Sequence, residues 1–79
     1  MDGRRRYRLD FADRLKGIRE GRGMTQRQAS DMSGIPYSSY QDYEHARALP
    51  DAERVMRLAW ALAVDANALV GSMEIEEVG

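Results

Sequence analysis

Two helix starts, at Thr25 and Pro36, stand eleven residues apart with Gly34 between them, and no other feature restricts the fold of this chain as much. Thr25-x-x-Gln28 is a capping box: the threonine hydroxyl accepts from the backbone N–H three residues on, and the glutamine reaches back. The short helix that follows is expected to turn Ala29 and Met32 inward and to stop at Gly34. Pro36 suits the first turn of the next helix, where its missing N–H would have no partner anyway. That helix runs to about His45.

The flanking segments read as helices too. From Asp10 to Arg22, Phe11, Leu15 and Ile18 fall at i, i+4 and i+7, an amphipathic stripe, which Gly21 and Gly23 end. Asp51 caps a fourth helix with Val55, Leu58, Ala59 and Leu62 on one face. Asp65 caps a short fifth through Leu69 and Val70, closed by Gly71. Five short helices with brief connections imply an all-α domain over 10–71, between a basic N-terminal arm (1–9) and an acidic C-terminal tail (72–79).

Composition excludes most chemistry. Among 79 residues there is no cysteine and one histidine, His45, so disulfides, thiolate metal sites and most acid–base catalysis are unavailable. There is no phosphate-cradling glycine loop and no paired carboxylate site. No cofactor, metal or enzymatic activity is expected. No apolar run approaches the roughly 18 residues of a membrane span, and no apolar block marks a signal peptide. A soluble, cytoplasmic domain is the expectation.

The stretch from Arg14 to Val70, with Thr25-Gln26, Gly34-Ile35, Tyr43-Glu44, Pro50, "RLAWAL" and Leu69-Val70 in order, resembles the helix-turn-helix family of phage repressors and Cro proteins. The likeness spans about residues 11 to 70. It implies a five-helix, lambda-repressor-like DNA-binding domain whose third helix enters the major groove. It also implies an ion pair between Arg19 and Glu44 joining the first and third helices. The family's base-reading surface maps onto Tyr37, Ser38, Gln41 and Asp42, with Tyr40 and Tyr43 turned into the body. Phosphate contacts map onto the start of the second helix (Thr25, Gln26, Arg27) and the end of the third (His45, Arg47). Ala46 and Ala63 stand where the family commonly has glycine, which leaves those turns less relaxed. Tyr40 replaces a smaller residue, and its hydroxyl needs a partner.

Charge sets the difficulty for such a reading. The net charge is −1, whereas phosphate contacts normally dominate affinity, and the reading helix carries no cation before His45. Ser38, Gln41 and Asp42 can still address base edges, Gln41 an adenine and Asp42 a cytosine amino group. Base contacts specify while phosphate contacts position, so positive charge has to come from neighbours. Arg4, Arg5 and Arg6 are candidates, as a flexible arm around DNA. A second reading pairs residues 5–9 with 73–77 as short terminal strands, since Tyr7, Leu9 and Phe11 alternate with Arg8 and Asp10. A third leaves both tails disordered.

Trp60 lies about 140° around the fourth helix from Val55, off the core face. With Met56 it suggests an interface, to which the family resemblance adds Leu69, Val70 and Met73. Double-stranded DNA and a second copy of the chain are the expected partners, and no membrane is. The leading expectation is a dimeric repressor. The alternatives are the antitoxin of a toxin–antitoxin pair, or a protein-interaction module that no longer binds DNA.

Overall fold

The computed structural model describes residues 3–71. They form five helices: α1 (Gly3–Gly21), α2 (Gln26–Ser33), α3 (Tyr37–Glu44), α4 (Ala52–Leu62) and α5 (Ala66–Val70). No strand occurs among them, and none of these helices is long and apolar enough to cross a membrane.

The caps are where the sequence placed them. The Gln28 backbone N–H donates to Thr25 Oγ1 at 3.0 Å, and the Thr25 N–H to Gln28 Oε1 at 2.8 Å. Gly34 ends α2 in the left-handed region at φ 72°, ψ 20°, a conformation that glycine adopts without a Cβ penalty. The turn is stitched by Ser30, whose hydroxyl donates to the Ile35 carbonyl at 2.6 Å. Pro36 sits at the N-cap of α3, just outside it, with no side-chain cap. Asp51 and Asp65 accept from Arg54 N–H and Asn67 N–H at 2.9 and 2.8 Å, starting α4 and α5.

Three expectations are corrected. The first helix begins at Gly3, not near Asp10, so residues 3–9 are neither an arm nor a strand. Tyr7, Leu9 and Phe11 alternate along the sequence, but Tyr7 and Phe11 are also one helical turn apart. The helix turns them inward and leaves Leu9 exposed. Three arginines in the first turn, with no acid, oppose the helix dipole. Tertiary contact offsets this, as Arg8 Nε donates to the Ala46 carbonyl at 3.1 Å. The partner segment 73–77 lies outside the described residues.

Met32 is the second correction, since it is half exposed rather than inward. The buried side of α2 is Ala29, Ser30 and Ser33, and side chains this small let its neighbours approach. Leu69 is the third. It is fully buried, because α5 packs against both α1 and α4, so it belongs to the core and not to an interface.

That core gathers Phe11 and Leu15 of α1, Ala29 of α2, Ile35, Tyr40 and Tyr43, Leu58, Ala59 and Leu62 of α4, and Leu69. Ala46 and Ala63 both have positive φ, 61° and 58°. The left-handed conformation costs an L-residue about 1–2 kcal/mol. Part of that is recovered on substitution by glycine, less the extra freedom glycine gives the unfolded chain. Ala63→Gly at the exposed C-cap of α4 is therefore expected to stabilise the domain by about 0.5–1 kcal/mol. Thermal unfolding should move up by roughly 4 °C, and an unchanged or lower midpoint would contradict the strain.

A candidate DNA-reading surface

Tyr37, Ser38, Gln41 and Asp42 occupy one side of α3, where Ser38 is exposed and the other three are half-buried. Tyr40 and Tyr43 are buried on the opposite side. The division follows from helical geometry, in which residues three and four apart share a face.

What fixes α3 against the body is a cluster around Glu44. Its carboxylate accepts from Arg19 Nε at 2.6 Å and Arg19 Nη2 at 3.1 Å, a two-pronged pair between α1 and α3. Gln26 Nε2 donates to Oε1 at 2.9 Å, bringing in the start of α2. The Tyr40 hydroxyl donates to Oε2. Arg19 Nη1 also donates to the Met24 carbonyl at 2.8 Å, closing the loop before α2. Burial by itself pushes the Glu44 carboxyl up, but the bonds from Arg19, Tyr40 and Gln26 outweigh it and hold it below the usual carboxylate range. Burial and the adjacent Glu44 carboxylate push the Tyr40 phenol far up, so it stays protonated and keeps donating.

Among the expected phosphate contacts, Gln26 differs most from expectation. One of its amide donors is spent on Glu44, which leaves one for a phosphate. Thr25 uses its hydroxyl oxygen as the cap acceptor and retains its proton as a donor. Arg27 lies over the Tyr37 ring, 4.1 Å from its centroid. At the other end of α3, His45 is the exposed C-cap residue. Arg47 Nη1 is 3.3 Å from Asp42 Oδ1, both side chains about half exposed. Asp42, the acid on this side of α3, thus has its own counter-charge.

Arg4, Arg5 and Arg6 are exposed on the first turns of α1. The bond from Arg8 to Ala46 sets this basic end against the loop that carries His45 and Arg47. Arg8 did not stand out in the sequence; its only signal was lying three residues before Phe11, on the same side of a helix. Among the described residues, Met56 and Trp60 are the most exposed large apolar side chains, 62% and 74%. With Met32 they flank a shallow hollow between α2 and α4. Val70 is half-buried, and Met73 lies outside the described residues.

The sequence matches the helix-turn-helix family over residues 15–69. The chain belongs to that family. This helix-turn-helix chain is 34% identical, over 69 residues, to the cryptic phage CTXphi transcriptional repressor RstR of Vibrio cholerae serotype O1. The match takes in 87% of this chain and 62% of that repressor, so the chain spans less than two thirds of its relative's length. The fold is similar to the crystal structure of the restriction-modification controller protein C.AhdI from Aeromonas hydrophila. The TM-score is 0.76 at 24% identity, covering 78% of this chain and 94% of the other.

Proposed function

We propose that this chain is a sequence-specific DNA-binding transcriptional regulator, a homodimeric repressor that reads the major groove with α3. The observation that carries this is the two-sided α3. Tyr40, Tyr43 and Glu44 lock it to the body, while Tyr37, Ser38, Gln41 and Asp42 are left on the outer side with Arg27 at one end and Arg47 at the other. A repressor among its relatives supports the regulatory part of the reading. Thr25, Gln26, His45 and Arg47 would hold phosphates, joined by the basic end of α1. A second copy would dock through Met56 and Trp60, setting two reading helices on half-sites roughly 34 Å apart.

The test is fluorescence anisotropy against DNA from upstream of the coding region, beside a scrambled fragment, at two salt concentrations. Tight binding to the upstream fragment alone, weakened by salt, is expected. Gln41→Ala should weaken that binding by roughly tenfold or more per half-site, the value of a bidentate base contact. Equal affinity of wild type and Gln41→Ala would show that Gln41 reads no base.

The apolar Met32–Met56–Trp60 face also favours a second reading, in which it holds a different protein, as a toxin is held by its antitoxin. A partner that protects Trp60 from solvent and leaves operator binding intact would support it.

A further inference from the structure

We propose that Arg27 is a guanine-reading residue, carried from α2 to the N-terminal end of α3 by the face of the Tyr37 ring. This rests on α3 being the reading helix and names a base for it.

The arginines of this domain end differently. Arg14, Arg19, Arg47 and Arg57 donate to carboxylates, and Arg8 and Arg22 to carbonyl oxygens. Arg27 lies over an aromatic face at 4.1 Å and donates to no oxygen among the described residues. A ring attracts the charge through its quadrupole but consumes none of the five N–H donors. The fork is therefore held in place with its hydrogen-bonding capacity intact. At an exposed site this attraction favours the stacked arrangement by roughly two- to fivefold over the free one.

The place matters as much as the capacity. Tyr37 is the first residue of α3, and in a helix-turn-helix the N-terminal residues of the second helix contact base edges. Ser38, Gln41 and Asp42 offer hydroxyl, amide and carboxylate groups, none of which matches the paired N7 and O6 acceptors of guanine as a guanidinium does. Arg27 supplies the missing donor fork without a cation on α3 itself. Tyr37 is then a positioning residue for Arg27.

The test begins with selection of binding sites from random DNA by the full chain. The selected duplex is then remade with 7-deazaguanine, which lacks the N7 acceptor, at each guanine in turn. In the wild type one position per half-site should cost roughly tenfold or more. Arg27→Ala should abolish that cost, and Arg27→Lys, which lacks the planar fork, should reduce it while keeping the salt dependence. Tyr37→Leu should remove most of the guanine preference, and Tyr37→Phe, which keeps the ring, should restore it. Thermal melts confirm that these surface variants fold. If Arg27→Ala instead weakens all sequences equally and leaves the 7-deazaguanine cost in place, Arg27 is a phosphate contact and the proposal falls. A selected site with no guanine overturns it too, with α3 still the reader. A wild type that selects nothing overturns the DNA-reading function itself, and this proposal with it.

Discussion

Glu44→Ala is expected to leave the domain largely unfolded at 25 °C. Glu44 holds the Arg19 guanidinium, the Gln26 amide and the Tyr40 hydroxyl, and its side chain is 1% exposed. Removing one partner of a buried ion pair costs about 3–5 kcal/mol, because the other charge stays buried without compensation. A single core in a chain of this size supplies roughly 3–5 kcal/mol in all. The two are comparable, so circular dichroism should show lost helix and no cooperative melt. A midpoint only a few degrees below wild type would mean that water replaces the carboxylate and that the cluster does not hold α3.

The same carboxylate sets the acid limit. Its pKa in the folded chain lies below the ordinary value of 4.5. A depressed carboxylate stabilises fully above its unfolded-state pKa, and the stabilisation is lost as pH falls through the folded-state value. Urea midpoints should therefore be insensitive to this group above about pH 5 and decline below pH 4.5. In Glu44→Gln, which is neutral throughout but keeps a carbonyl oxygen for Arg19 and so loses less stability than Glu44→Ala, that part of the decline should be missing.

If the proposed homodimer docks through Trp60, Trp60→Asp should abolish it while leaving each protomer folded. Trp60 is 74% exposed in the single chain, so its replacement removes little packing within the protomer. In a two-fold dimer one substitution acts twice. With about 2 kcal/mol for a central aromatic anchor, the loss is about 4 kcal/mol, close to a thousandfold in the dimer dissociation constant. Light scattering at micromolar concentration should report a monomer, and operator affinity should fall with it. If Trp60→Asp still dimerises and binds the operator, the face is free for another protein, and the homodimer contact must be sought around Val70 and the residues beyond Gly71.

What the sequence alone determined is local. The Thr25–Gln28 box, Gly34, Asp51 and Asp65 specify helix ends through bonds within two to four residues, so three of the five helices could be placed from their caps. Leu15, Leu58 and Leu62 were legible as core because helical periodicity sorts them onto inner faces. Tyr40 and Tyr43 were assigned inward from the family resemblance.

What failed, and what was invisible, depended on partners distant along the chain. Period-two and period-four spacing coexist in Tyr7, Leu9 and Phe11, and only packing of α1 against α3, with Arg8 reaching the Ala46 carbonyl, selects the helix. Met32 and Leu69 changed sides because the depth of a helix face is set by the neighbours that cover it, not by its own pattern. The charge of the proposed reading surface was likewise undecidable from α3 by itself. Its guanidinium groups come from α2, packed so that Arg27 lies over Tyr37, and from the loop after α3, where Arg47 folds back on Asp42.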